Sequence, residues 1–164
     1  MGQDISGQGL EINITATGTF PLGFVVNQFA DDADPLDIAD IQLADTAMGL
    51  NGDLISWNNA NPIPMVINVI PGSFDDTNLS ILAEANRVGR NKISAKDTIS
   101  ASIVYPDGNI CTLTGGRITN APASDSVASA GRKKSKTYTF AFENKAITAR
   151  SFLKSVASSV LSAL

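Results

Sequence analysis

The sequence predicts a mainly β protein with one interior α-helix and a second, amphipathic helix at its C-terminus. Three observations carry that prediction. Apolar and polar residues alternate with period 2 in several short runs, as half-buried strands require. Turn-forming pairs such as Asn51-Gly52, Pro71-Gly72 and Asp107-Gly108 separate those runs. Only two stretches carry apolar residues at helical spacing, one before Gly89 and one after Ala146.

Element by element, Leu10, Ile12 and Ile14 alternate with Glu11, Asn13 and Thr15, which reads as a strand. Residues 22–29, after Thr17-Gly18-Thr19-Phe20-Pro21, read as its hairpin partner. An acidic turn cluster follows at Asp31, Asp32 and Asp34, and then Ile38, Ile41 and Leu43 resume the apolar pattern between Asp37, Asp40 and Asp45. Asn51-Gly52 predicts a tight turn before a short strand at 54–57. A further strand at 65–70 is closed by Pro71-Gly72. The interior helix begins near Asp75 or Asp76, either of which is a suitable cap, and carries Leu79, Leu82, Ala83 and Asn86 at helical spacing. Gly89 is its expected stop, with the acids in the first turn and Arg87 in the last opposing the helix dipole.

Strands resume at 98–105, with Ile99, Ala101, Ile103 and Tyr105 on one face, and Pro106-Asp107-Gly108-Asn109 turns the chain into 110–113. Gly115-Gly116 is expected to break that strand before Ile118. Residues 121–131 are small and polar and read as a surface loop. Tyr138, Phe140 and Phe142 then share one face of a strand at 137–142. The chain divides into a β domain at 1–146 and a helix at 147–164. On that helix Phe152, Leu153, Val156, Val160 and Leu161 form one apolar side, a candidate docking face for the subunit's own core or a neighbouring copy.

Composition excludes most chemistry. The 164 residues include no histidine, which removes Ser-His-Asp and Cys-His arrangements and every His-based metal site. One cysteine, Cys111, excludes an intrachain disulfide and a Cys-Cys zinc site, and its strand neighbours mark it as a small core residue. Asp31, Asp32 and Asp34 cluster oxygens but lack the glycine and distal glutamate of an EF-hand loop. Gly115-Gly116 lacks the pattern of a phosphate-binding loop. The expectation is therefore a non-enzyme with no metal and no cofactor. Neither a secretory signal nor a run of roughly 18 apolar residues is present, so the protein is expected in the cytoplasm, away from membranes. Gly2 and Ser6 fit only a loose myristoylation pattern.

Charge is divided along the chain. Residues 1–86 hold twelve acids and no cation, a net of −12, whereas residues 87–164 hold all twelve cations and four acids, a net of +8. Such asymmetry suggests electrostatic partners. The cations Arg132, Lys133, Lys134 and Lys136 could grip phosphate, but no aromatic residue interleaves them as nucleic-acid binding would favour. The alternative is an acidic and a basic face that stack copies head to tail, with Asp31, Asp32 and Asp34 opposite Arg132, Lys133, Lys134 and Lys136 as candidate inter-ring contacts.

The order of features in the second half resembles tail tube proteins of contractile-tailed bacteriophages. Leu79, Leu82 and Asn86 on a helix precede Asp97-Thr98-Ile99 and Pro106-Asp107-Gly108. Gly115-Gly116-Arg117-Ile118, a loop ending Ala130-Gly131-Arg132-Lys133, and the strand Tyr138-Thr139-Phe140-Ala141-Phe142-Glu143 follow. The resemblance covers mainly 79–144. It implies a β-sandwich or barrel with a flanking helix, and hexameric rings stacked into a tube through which DNA is delivered. It also implies a virion location after assembly in the host cytoplasm, with sheath, tape measure and baseplate proteins as partners and DNA passing the lumen without specific binding. A related secretion-system tube protein and a carbohydrate-binding or carbohydrate-active β-sandwich are the alternatives.

Overall fold

In residues 8–148, which the computed structural model describes, period-2 alternation becomes one-sided burial. In β1 (Glu11–Ala16) Ile12, Ile14 and Ala16 are buried while Glu11, Asn13 and Thr15 face solvent. The chain continues through β2 (Phe20–Val26), β3 (Leu36–Asp37), β4 (Ala44–Met48), β5 (Leu54–Asn58) and β6 (Ile63–Val69) to α1 (Phe74–Asn86). It then forms β7 (Ile99–Val104), β8 (Ile110–Asn120), β9 (Lys136–Phe142) and β10 (Asn144–Thr148).

The strands pair antiparallel in the order β2-β1-β7-β8-β9-β6-β3, with β10 added to β8, while β4 and β5 pair only with each other. The long strand β8 joins two layers. Its first half lies between β7 and β10, and its second half pairs with β9, which leads on to β6. Residues from both layers and from α1 meet in one apolar core, where Ile14, Ile103 and Leu113 meet Met65, Phe140, Leu79 and Leu82. Each large side chain there contributes roughly 1.5–3 kcal/mol by leaving water. The path runs open from β2 to β3, so the fold is mainly β and sandwich-like without closing into a barrel.

The glycine pair does not break β8. Gly115 sits at φ +66°, and the register against β7 jumps from Ile99↔Gly116 to Ala101↔Leu113, the sign of a bulge. A Cβ on Gly116 would lie 2.2 Å from the Phe142 ring. Glycine here lets the strand bend from one layer into the other and admits that ring, so pairing continues through the corner.

The helix is also capped differently from the expectation. Ser73 is the N-cap, its hydroxyl accepting from the Asp76 N–H at 3.2 Å. Arg87 lies at the C-cap, one residue beyond the last turn, and its N–H returns to the Glu84 carbonyl, so Gly89 is not needed as a stop.

Asp75 and Asp76 are instead buried ties. Asp75 accepts from the N–H groups of Asn27 and Gln28, both at 2.7 Å, fixing the chain just after β2. Asp76 accepts from Gly72 N–H at 2.9 Å and from the Tyr138 hydroxyl at 2.8 Å, fastening α1 to β9. A third buried acid, Asp97, takes hydrogen bonds from Gly18 N–H at 2.8 Å, Thr19 N–H at 3.2 Å, the Thr19 hydroxyl and the Asn86 amide at 3.0 Å. Burial pushes its pKa up, but these four donors outweigh that and hold it below the usual carboxylate value. One carboxylate thereby ties the β1–β2 turn, the end of α1 and the start of β7.

The C-terminal expectation is corrected at its start. Ile147 and Thr148 belong to β10, paired with Cys111 and Ile110, and are not the first residues of a helix. The remainder of that predicted helix, with Phe152, Leu153, Val156, Val160 and Leu161, lies outside the described residues.

Candidate assembly surface

Two regions stand apart from the core, a hairpin arm and a pair of charged loops. The arm is β4 and β5, in register from Ala44↔Asn58 to Met48↔Leu54. Its connection is wider than a two-residue turn. Gly49 N–H donates to the Asp53 carbonyl at 2.7 Å, and Gly52, at φ +85°, donates to Gly49 at 3.0 Å. Asp45 clamps the base, accepting from the Asn59 amide at 2.6 Å and from the Gln42 amide, while the Asn59 N–H donates to the Leu43 carbonyl at 3.0 Å.

Every residue of β5 is exposed. Leu43, Met48, Leu50, Leu54, Ile55 and Trp57 each present half or more of their surface to solvent. Residues 54–57 are apolar at three of four positions, a pattern that in a strand signals burial on both faces. An isolated two-stranded hairpin is marginal in water; Met48 and Leu54 share one face of this one and Ile55 and Trp57 the other, where Asp45 lies opposite Trp57, and exposed Trp and Met are residues that interface centres favour. The arm therefore has the composition of a core strand without a core to enter.

The charged loops lie side by side in one chain. Arg132 reaches Asp31 at 3.0 Å, and the Ser135 hydroxyl donates to Asp32. Lys133 pairs with Asp125 at 2.6 Å, and Lys136 bridges Asp125 at 2.7 Å and Asp76 at 3.2 Å. Asp34 is exposed, its backbone carbonyl accepting from the Asn68 amide at 2.7 Å, and Lys134 is held through its backbone N–H to the Ser126 carbonyl at 2.7 Å. Hydrogen bonds from Lys133 and then Lys136 bring the Asp125 carboxyl down to about 2. Desolvation lowers the Lys136 pKa, yet its bonds to Asp125 and Asp76 more than restore it, so it stays charged above its ordinary range.

The sequence reading set the acidic and basic clusters on opposite faces. The fold joins them on one, because β3 and β9 both flank β6 and bring loop 30–35 beside loop 121–135. Charge divided along the chain is thus recombined within the subunit. The burial of Asp75, Asp76 and Asp97, and the ties they make, escaped the sequence reading. The Ser73-x-x-Asp76 spacing of a capping box was the available signal for Ser73, and nothing local marks Asp97.

Among the described residues, no group of three or more acidic, cysteine or histidine side chains could hold a metal ion, and no helix is long and apolar enough to cross a membrane. A family model described as tail fiber protein gp32 matches residues 3–146. Two solved structures share the fold. One is a chain in an extracellular contractile injection system, the PVC sheath/tube terminator in extended state, at 11% identity, 91% of this chain, 99% of that one and a TM-score of 0.55. The other is a chain in the anti-feeding prophage baseplate, at 8% identity, 91% and 98% coverage and a TM-score of 0.52. At such identities the likeness is one of fold. No curated protein matches significantly.

Proposed function

The chain belongs to the tail fiber protein gp32 family, a tail-associated structural role, and from that premise we propose that it is a ring-forming subunit of a contractile tail. In this reading six copies close a ring, rings stack into a tube, and DNA passes along the lumen. Sheath, tape measure and baseplate proteins are the expected partners, and the role is structural rather than catalytic.

One observation carries the proposal. The β4–β5 arm pairs with no other described strand of its subunit and exposes Met48 and Leu54 on one face and Ile55 and Trp57 on the other. A neighbouring copy supplies the surface that the monomer lacks, which turns an aggregation hazard into a specific contact. The net charge of −4 suits a lumen along which DNA slides without adhering.

A second reading, a component that ends a tube rather than building it, is prompted by the likeness in fold to a chain of the PVC sheath/tube terminator structure, along 99% of that chain's length. Negative-stain images of the purified protein separate the two. Open-ended tubes support the first reading and isolated rings the second. A monomer at high concentration and physiological salt sinks both. Replacing Trp57 and Leu54 by Asp should abolish assembly and leave the subunit folded.

A further inference from the structure

Recombination of charge within the subunit stops at two places. Residues 36–61, the arm and its flanks, carry Asp37, Asp40, Asp45 and Asp53 and no cation. Residues 87–96, just past α1, carry Arg87, Arg90, Lys92 and Lys96 and no acid. The ion pairs among the described residues leave out all four of these aspartates and, at the second place, Arg90 and Lys96.

The second place is a ledge folded back on the end of α1. Arg87 and Lys92 both close on Glu84 at 2.9 Å, and the Ala95 N–H donates to the Ala85 carbonyl at 2.8 Å. A tight turn between them is closed by the Lys92 N–H on the Gly89 carbonyl at 3.0 Å. Val88 and Ile93 are exposed on this ledge, as is Ile81, one turn before Ala85 on α1. Arg90 and Lys96 are exposed on the same segment. The ledge is therefore apolar and cationic at once.

One face of the arm is its complement. Asp53, Ile55 and Trp57 alternate along one side, and Asp45 lies opposite Trp57 across the pair. We propose that this face of the arm docks on the ledge of a neighbouring copy, with Ile55 and Trp57 against Ile81, Val88 and Ile93, and Asp45 and Asp53 facing Arg90 and Lys96. Residues outside 8–148 add a single acid, Asp4, so the arm is the acidic and apolar segment that this chain has to offer. The contact joins two different patches, and such a heterologous interface closes into a ring where the rotation allows. The proposal rests on the reading that the arm meets another copy, and it adds where the arm lands.

Two full-length variants test it in sedimentation velocity. Arg90→Glu/Lys96→Glu reverses the ledge. Ala47→Lys/Asp53→Lys reverses the arm face, since Ala47 is exposed opposite Ile55, and it leaves the Asp45 clamp in place. Each variant alone should assemble about tenfold more weakly than the natural chain, with unchanged thermal unfolding. Their equimolar mixture should recover assembly, because alternating copies set each arm against a ledge of opposite sign. No recovery in the mixture overturns the proposal. So does a ledge variant that assembles normally beside an impaired arm variant, because the arm then lands on another surface, and that outcome leaves the contact between copies standing. Natural chains that stay monomeric at high concentration overturn the proposal together with the reading beneath it.

Discussion

The strand pair β6–β9 and the strand pair β4–β5 are both antiparallel and rich in apolar residues, yet their side chains end in opposite surroundings. In β6 and β9 every second residue is buried, and Met65, Ile67, Tyr138 and Phe140 are essentially inaccessible to water. In β5 nothing is buried, although Leu54, Ile55 and Trp57 are as apolar as their counterparts. The difference is one of neighbours. A sheet face becomes a core only when a second layer lies about 10 Å above it, and the arm has none among the described residues. Stability of the subunit therefore resides in the first pair, and the second is the one that the proposed association would use.

The largest effect that would test this division is in the core. Phe140→Ala should cost about 3–5 kcal/mol in urea unfolding, a large share of a typical domain's stability. Trp57→Ala should change the monomer by no more than about 0.5 kcal/mol while removing assembly in sedimentation velocity. A comparable loss of monomer stability in both would erase the distinction between core and arm.

Next in size is Asp97→Ala, which strands the buried donors of Gly18, Thr19 and Asn86 and should cost about 3 kcal/mol. Its pH dependence has a definite sign. The folded-state pKa lies below the ordinary 3.8, so the carboxylate's contribution is complete above that value and is lost as pH falls through the lower folded-state pKa. Asp97→Asn should flatten this part of the acid limb of the stability curve. An unchanged slope would place the pH dependence elsewhere.

Smaller again is Gly116→Ala, whose Cβ would press on the Phe142 ring and should cost about 1–3 kcal/mol. An equal substitution at Gly52, with nothing within 4 Å, meets no neighbour and carries only the strain of its φ of +85°. The smallest effect belongs to the charged loops. Arg132→Glu disrupts an exposed pair with Asp31, so thermal unfolding should hardly move at physiological salt. A clear shift in ring stacking with unchanged subunit stability would return these loops to the assembly surface.

Much of the fold was legible residue by residue. The buried faces of β1, β7 and β9 follow directly from alternation, and the turns at Pro71-Gly72 and Asp107-Gly108 fall where their residues suggest. The interior helix was found from Leu79 and Leu82, with its cap misplaced by two or three residues because Ser73, Asp75 and Asp76 are all competent caps. Continuity of β8 through Gly115-Gly116 was not legible, since the same pair that ends one strand lets another bend when an aromatic ring waits on the inside. Strand β10 was masked by the helical spacing of the residues after it.

The sequence by itself determined that this is a β chain with one interior helix, a single apolar core and no histidine-based chemistry, because periodicity and composition are local quantities. Only the tertiary structure decided which partners those local pieces find. It set Asp31 against Arg132 across 101 positions and Asp97 against Thr19 across 78, and it left the apolar arm of β4 and β5 in water. The physical reason is that burial and pairing depend on what the chain brings to the same place. Side-chain alternation records that a face wants cover without recording whether the subunit or its neighbour provides it.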